Sequence, residues 1–224
     1  MSNLAPAAIA VAPEPIVLTG VRKITDPRTD RLVATIAAAP FAYMLYYRLT
    51  EGFDLPRVAM AINFALLIVT MVVRRAPVRV TPKPSYWITA FVATYWGFFT
   101  LGLAERGATL APVWVTHGIA LASLVVALCA RVSLGRNIGF VPAQRKLVTS
   151  YAYGLVRHPI YAGLFLSFAG VLLRSWSPWN GLLLAVPTIL FMVKSFMEET
   201  FLSEDPAYVR YMSQVRYRWF PGLA

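Results

Sequence analysis

The chain has 224 residues, of which 58% are hydrophobic and only 14% are charged, and its mean hydropathy is +0.60. Soluble domains are about half apolar and about a quarter charged, so this composition excludes an ordinary soluble protein and indicates a membrane protein. The formal charge of +11 does not call for a nucleic-acid partner, because basic residues also hold the cytoplasmic loops of membrane proteins in place. The single cysteine, Cys129, excludes an internal disulfide and a cysteine-based metal cluster.

Residues 1–30 are predicted to form an N-terminal cytoplasmic tail. The start of the tail, "MSNLAPAAIAVAPEP", has no basic residue, and the first one in the chain is Arg22. It therefore lacks the positive n-region of a secretory signal. We interpret residues 1–20 as a mobile segment.

Six apolar segments follow the tail, and they approach the roughly 20 residues that are needed to cross a bilayer. They are 31–49, 56–73, 85–104, 111–131, about 159–174 and 178–197. The predicted fold is all-α, a polytopic integral membrane helical bundle with five to six transmembrane helices. Four of these helices lie in residues 31–131. Residues 132–224 are predicted to form a cofactor-binding region, which comprises a long loop, a C-terminal helical hairpin and a polar, aromatic tail.

The distribution of basic residues predicts the orientation in the membrane. If the N-terminus is cytoplasmic and six spans alternate, 17 of the 21 Lys and Arg residues fall on the cytoplasmic side. The four on the other side are Arg48, Arg57, Arg106 and Arg174. This asymmetry follows the positive-inside rule. It predicts a multi-pass protein of the bacterial inner membrane whose chemically rich stretches face the cytoplasm.

The first of these stretches is "GLVRHPIYAG", residues 154–163. Pro159 suits the first position of a helix, so His158 and Arg157 lie at a helix start and Tyr161 lies about one turn inside. A helix N-terminus with a cation, an imidazole and a phenol around it suits an anionic group of a ligand. The alternative is that Arg157 and His158 only anchor a span at the lipid headgroups.

The second stretch is the pair Glu198-Glu199, which directly follows an apolar run. No Asp or Glu occurs between Glu105 and this pair, and carboxylates at the end of a span are costly unless they are solvated or partnered. A helical hairpin would return them to the membrane face of Arg157. Because adjacent helix residues point about 100° apart, we expect one to face the site, preferably Glu198, and the other to meet Arg157 or another loop cation. The alternative is a solvated helix end beside Lys194.

Other candidate residues carry weaker signals. His117 lies within an apolar span and is predicted to be a buried, hydrogen-bonded structural histidine. His117 and His158 are the only histidines, and their separation predicts that the chain has no metal site. The sequence also contains no phosphate-binding loop, no Ser-His-Asp constellation and no nucleotide-binding fingerprint.

The two chemically rich stretches together carry a resemblance to a known family. "KLVTSYAYGLVRHPIYAG" (146–163) and "EETFLSEDPAYVRYMSQVRYRWFPG" (198–222) resemble the isoprenylcysteine carboxyl methyltransferases and the related phospholipid N-methyltransferases. "SLGR" (133–136) fits the segment that precedes this pattern, and the resemblance covers about the last 90 residues. Where the family has Gly-Pro-Tyr-Arg, this chain has Tyr-Ala-Tyr-Gly at 151–154. The tyrosine is kept, whereas the basic residue and the Gly-Pro turn are lost.

The resemblance implies a cytosol-facing pocket for S-adenosyl-L-methionine. The cofactor-binding residues that it implies are Leu147, Val148, Tyr153, Arg157, His158, Tyr161, Glu198 and Glu199. Arg157 and the free N–H groups near His158 would hold the cofactor carboxylate, and a glutamate would hold the ammonium or the ribose. Leu147 and Val148 would bracket the adenine, and a tyrosine would lie against the cation. Arg157, Glu198 and Glu199 are implied as catalytic residues.

The predicted function is therefore an integral-membrane S-adenosylmethionine-dependent methyltransferase. Its acceptor would be lipidic or a small hydrophobic molecule, either an isoprenylcysteine carboxylate-like compound or a phospholipid amine, and membrane lipids would surround it. One alternative is a membrane reductase with NADPH in a related helical pocket, whose 2′-phosphate Arg145 and Lys146 would hold. Another is a non-catalytic transporter or scaffold. The sequence leaves open the chemistry of the acceptor (carboxylate, amine or thiol) and the oligomeric state.

Overall fold

A computed structural model of the chain describes residues 26–50, 52, 54–100 and 102–222. The predicted mobile segment 1–20, and most of the predicted tail 1–30, lie outside the described residues. The helices of the described part are α1 (Pro27–Thr50), α2 (Leu55–Val72), α3 (Pro84–Phe99), α4 (Val113–Leu134), α5 (Ala152–Leu155), α6 (Pro159–Arg174), α7 (Pro178–Leu202) and α8 (Pro206–Gln214). A 3₁₀ turn covers Gly135–Asn137, and the strands β1 (Arg79–Val80) and β2 (Ala143–Gln144) have two residues each.

The six long helices coincide with the six predicted apolar segments, and the all-α membrane bundle is confirmed. Helix α6 has the predicted bounds, whereas α3 ends at Phe99 instead of 104 and α7 continues to Leu202 instead of 197. Within the described residues, four helices are long and apolar enough to cross a membrane: α1, α2, α4 with its 3₁₀ extension, and α7. Helices α3 and α6 have 16 residues each, or about 24 Å. They are therefore shorter than the roughly 30 Å hydrocarbon core. The prediction of five to six spans allowed for a short α6 but not for a short α3.

Proline marks the start of most of these helices, because it cannot continue a preceding helix and fits the first turn of a new one. In four cases a short polar residue precedes it and accepts a hydrogen bond from a first-turn backbone N–H. These caps are Asp26 for α1, Asp54 for α2, Ser177 for α7 and Asp205 for α8. The sequence thus sets the helix starts locally, which explains the close agreement for α6 and the start of α7.

The long helices pack as a ring in the order α1, α2, α4, α6, α7 and α3. Helices α4 and α6 make the most extensive contact in the ring. It closes where α3 meets α1: the Tyr95 ring stacks on Phe41 at 5.5 Å, and the Tyr95 hydroxyl donates a hydrogen bond to the Ala37 carbonyl at 2.7 Å. The closed ring leaves a central space that all six helices can line.

One end of the ring, called here the sheet end, joins loops that are far apart in sequence. Strand β1 lies between α2 and α3, strand β2 lies between α4 and α5, and they pair antiparallel with Arg79 opposite Gln144. At the same end, Arg74 and Asp30 form a buried ion pair at 2.7 Å. The two loops that the charge pattern assigns to the cytoplasm therefore lie at one end of the bundle.

The opposite end, called here the distal end, joins the remaining loops. Ala108 and Trp176 form an isolated antiparallel bridge, and Arg174 contacts Asp54 at 2.6 Å. Consecutive long helices therefore run in alternating directions. The distal end contains the loops that the charge pattern assigns to the other side of the membrane.

A turn before α5 holds Tyr151 in a conformation that suits glycine. Tyr151 has φ 55° and ψ −125°, the same dihedral angles as Gly135 at the end of α4. It is the one residue other than glycine with positive φ in the described part of the chain. Its side chain is 83% exposed. Tyr151 stands where the family pattern has a glycine, the residue that adopts positive φ without strain.

We expect Tyr151→Gly to stabilise the fold by about 1 kcal/mol, because the relief of backbone strain exceeds the extra chain entropy of glycine. Little packing is lost, since the tyrosine side chain is largely exposed. Thermal unfolding in one detergent should show a higher melting temperature than wild type. The matched control is Gly135→Ala, which introduces the same strain and should lower it. An unchanged or lower melting temperature for Tyr151→Gly would contradict the assignment of strain.

Candidate active site

The site is built at the sheet end around Glu199, which lies near the C-terminus of α7. Its carboxylate accepts hydrogen bonds from Arg157 Nε at 2.7 Å and from Arg218 Nη2 at 2.7 Å, and it contacts His158 Nε2 at 3.0 Å. Glu199 is only 7% exposed, so these charge-assisted contacts are largely shielded from water. One carboxylate therefore ties together the start of α6, the end of α7 and the segment after α8.

Arg157 is committed to this structural role. Its Nη1 donates to the carbonyls of Val215 and Arg216 at 2.8 and 2.7 Å, while Nε and Nη2 contact Glu199. The guanidinium therefore fixes the segment after α8, and four of its five N–H groups are engaged within the protein.

The backbone at the start of α6 is committed as well. The N–H groups of Arg157 and His158 donate to the carbonyls of Tyr217 and Arg218 at 2.9 and 2.8 Å. The expectation that these N–H groups are free to hold an anion is therefore wrong. A segment distant in sequence saturates them, which the local sequence does not reveal.

Glu198 points away from Glu199, as the geometry of a helix requires. It accepts a hydrogen bond from the Tyr161 hydroxyl at 2.7 Å and lies 3.7 Å from Lys194 Nζ. His158 Nδ1 lies 3.7 Å from Glu198, and the imidazole stacks on Tyr161 with ring centroids 5.4 Å apart. The imidazole thus lies between the two carboxylates, and Glu198 is the one that faces the interior of the ring.

Lys194 is buried within the ring and was misjudged from sequence. Only 4% of the residue is exposed. Its ammonium lies 5.5 Å from the centre of the Tyr161 ring, 5.6 Å from Phe191 and 5.9 Å from Phe140. Aromatic faces attract cations at such distances. The alternative in which the glutamates form a solvated helix end beside Lys194 therefore does not fit the structure.

Tyrosines from α5 and α8 cover the outer side of the site. The Tyr211 hydroxyl donates to the Tyr153 carbonyl at 2.8 Å. Burial raises the pKa of Tyr153 far above its usual range, and the negative charge of Glu198 raises it further. Burial also raises the pKa of Tyr208, with Glu199 adding to the effect. These phenols therefore stay neutral at physiological pH and act as hydrogen-bonding groups.

A cavity of about 890 Å³ fills the ring of helices, and His158, Tyr161 and Glu198 form part of its wall at the sheet end. Its volume is near the upper limit for small-molecule sites. The cofactor residues implied by the resemblance that line it are Leu147, Val148, Tyr153, Arg157, His158, Tyr161 and Glu198. Glu199 does not line it. Towards the middle of the ring the lining becomes apolar, with Phe64, Leu67, Leu164, Phe168 and Leu184.

Two arginines that were not among the predicted site residues also contribute to the site. Arg218, the second arginine on Glu199, lies in the "RYRW" stretch of the tail and had no local signal. Arg131 also lines the cavity; it ends the predicted span 111–131 but lies inside α4 in the structure.

His117 is partly exposed in α4 and does not line the cavity. The described residues contain no group of three or more His, Cys, Asp or Glu side chains that could hold a metal ion.

Comparison with known proteins agrees with the geometry. Residues 119–205 match the family model described as phospholipid methyltransferase. No curated protein matches the chain. The match begins inside α4, before the boundary predicted at residue 132, and it covers Leu147 to Glu199 and ends just before α8. It confirms the resemblance read from the sequence. Residues 119–205 of this helical membrane bundle are therefore similar to the phospholipid methyltransferase family.

Proposed function

We propose that the protein transfers a methyl group from S-adenosyl-L-methionine to an amphiphilic acceptor in the membrane. The observation that carries this proposal is the position of the cluster formed by His158, Tyr161 and Glu198. It lies in the family-matched region, at the polar end of a cavity whose interior is apolar. A soluble cofactor suits the polar end, and the tail of a lipidic acceptor suits the apolar interior.

The residues in the cavity fit the groups of the cofactor. Glu198 can accept from an ammonium or from ribose hydroxyls, since it lines the cavity and keeps acceptor capacity beyond Tyr161. Leu147 and Val148 line the same cavity and offer apolar contact to an adenine. When bound, S-adenosylmethionine supplies an electrophilic methyl group on a sulfonium.

The chain itself contributes mainly positioning. Methyl transfer is an in-line displacement, so holding the nucleophile in line with the methyl group accounts for much of the catalysis. We assign Glu198 to direct ligand contact. Arg157 and Glu199 become positioning residues, because their contacts fix the start of α6 and the segment after α8. A carboxylate acceptor needs no general base at neutral pH, whereas an amine or a thiol would need one.

The reductase alternative depends on Arg145 and Lys146 as a site for a 2′-phosphate. Arg145 donates from Nε to the Arg75 carbonyl at 2.8 Å and lies 3.8 Å from Asp30. Burial, together with the neighbouring Arg74, lowers its pKa to about 10. These contacts assign Arg145 to the fastening of loops at the sheet end. The geometry therefore favours the methyltransferase.

We further propose that the sheet end faces the cytoplasm of the bacterial inner membrane. The support is the basic-residue asymmetry together with the grouping of the basic loops at that end. Reporter fusions after residues 145 and 107 should report the inside and the outside respectively. The reverse result would place the site on the outer face of the membrane and would contradict the proposal that the cofactor enters from the cytosol.

Transfer itself can be tested by incubating the purified protein with methyl-labelled S-adenosylmethionine and a membrane lipid extract. We expect the label to appear in a lipid-soluble product, and mass spectrometry of that product identifies the acceptor group. The matched control is protein with Glu198→Gln, which should retain the fold and lose most of the transfer. Absence of labelled product, together with absence of S-adenosylhomocysteine binding, would refute the proposed function.

The two glutamates should respond differently to removal of their charge. Glu198→Gln should weaken S-adenosylhomocysteine binding by roughly ten- to a hundredfold, because a hydrogen bond to a charged group contributes about 1.5–3 kcal/mol. Glu199→Gln should instead lower the free energy of unfolding by about 3–5 kcal/mol, since it leaves Arg157 and Arg218 without their buried counter-charge. Calorimetry measures the first effect and thermal unfolding the second. Equal, small effects from both changes would show that the pair has no such division of roles.

A further inference from the structure

Arg131 is a buried cation in the wall of the cavity, and no role has been assigned to it. It lies about one turn from the end of α4 and is 6% exposed. Its Nη2 donates to Asn63 Oδ1 at 3.2 Å, and its Nη1 donates to Thr70 Oγ1 at 3.3 Å. Both partners lie on α2. Asn63 is seven residues before Thr70, so the guanidinium bridges two side chains whose Cα atoms are about 10 Å apart along α2.

The guanidinium has unused binding capacity. A guanidinium has five N–H bonds, and the contacts with Asn63 and Thr70 use two of them. Its Nε is buried and has no hydrogen-bond partner. Among the residues that the structure describes, no carboxylate forms an ion pair with Arg131. A buried charge that has no counter-charge is costly, and within a membrane span such a residue marks a functional site by default.

Arg131 and Glu198 lie on different helices around the cavity, and Tyr153 is within electrostatic range of both. In the ring order, α2 lies opposite α7, so the Arg131–Asn63 contact and Glu198 lie on facing walls of one cavity. Arg131 and Asn63 line that cavity together with the apolar side chains of its middle. An elongated molecule with a polar head could therefore place its head near Arg131 and its tail along the apolar lining.

We propose that Arg131, held by Asn63 and Thr70, is an anion-binding site for the acidic headgroup, carboxylate or phosphate, of an amphiphile in the cavity. This inference rests on the proposed function in that the amphiphile is taken to be the methyl acceptor or its product. The binding site itself needs no methyl transfer. The planar guanidinium suits both anions, because it can donate two parallel hydrogen bonds to their oxygens.

Lys194 supports the same charge preference. Its ammonium already occupies the space between Tyr161, Phe191 and Phe140. The lining carboxylates, Glu198 and Asp205, are outnumbered by cations that include Lys194 and Arg131, and Lys194 already lies 3.7 Å from Glu198. A headgroup beside Arg131 is therefore favoured on electrostatic grounds when it is acidic.

The test compares dodecanoate, dodecyl phosphate and dodecylamine on the purified full chain in dodecyl maltoside, a neutral detergent with the same alkyl chain. Calorimetry should detect binding of the two anionic amphiphiles above the detergent background, and weaker or no binding of dodecylamine. Arg131→Gln should weaken the binding of at least one anionic probe by about ten- to a hundredfold. Arg131→Lys should retain part of the affinity. The relative strength of the two anionic probes distinguishes a carboxylate headgroup from a phosphate.

A second variant tests the site without removing the arginine. Asn63→Asp places a carboxylate beside the guanidinium, so it should reduce anion affinity much as Arg131→Gln does. The matched control is Arg136→Gln: Arg136 also joins α4 to α2, through its contact with the Val73 carbonyl at 2.7 Å, and does not line the cavity. The Arg136→Gln protein should bind dodecanoate and dodecyl phosphate with wild-type affinity.

Three results would overturn the inference. The first is wild-type anion affinity in both Arg131→Gln and Asn63→Asp, which would leave Arg131 as a link between α2 and α4. The second is an equal loss in Arg136→Gln. The third is a large loss of S-adenosylhomocysteine affinity in Arg131→Gln, which would assign the anion to the cofactor. If anions bind as expected but no methyl transfer occurs, the site stands and the proposed function fails.

Discussion

The candidate active site depends on the contact of one carboxylate with three basic side chains. Glu199 joins Arg157, His158 and Arg218, which belong to the start of α6 and to the segment after α8. Without this shared counter-charge, Arg157 and Arg218 would be two largely buried positive charges that have no carboxylate to neutralise them. The backbone hydrogen bonds from Arg157 and His158 to Tyr217 and Arg218 follow from the same arrangement.

The two glutamates of the Glu198-Glu199 pair have different positions in the site. Glu198 is turned by about 100° on the helix, so the structural network that engages Glu199 leaves Glu198 directed at the cavity. His158 contacts both carboxylates, at 3.0 and 3.7 Å. The imidazole therefore links the Glu199 ion-pair network to Glu198 at the cavity. A shift of either carboxylate would change its contact with His158.

The sequence predicted what local patterns control. Hydropathy located the six long helices, proline located the start of α6, and the Arg-His-Pro and Glu-Glu stretches located the site. Contacts between distant segments could not be predicted, since nothing near Arg218 indicates that its partner is Glu199. The burial of Lys194 and Arg131 was also missed. Both cations lie near helix ends, where the same residue can extend to the headgroups or turn inward, and only the packing of neighbouring helices decides which.

The long-range nature of the Glu199 contact has a consequence for biosynthesis. Arg157 and His158 precede Glu199 in the chain, whereas Arg218 follows it by 19 residues. Chains fold from the N-terminus onwards during synthesis. The helical ring can thus assemble around the Arg157–Glu199 pair first, and the charged cluster is completed only when the segment after α8 docks and brings Arg218 to Glu199.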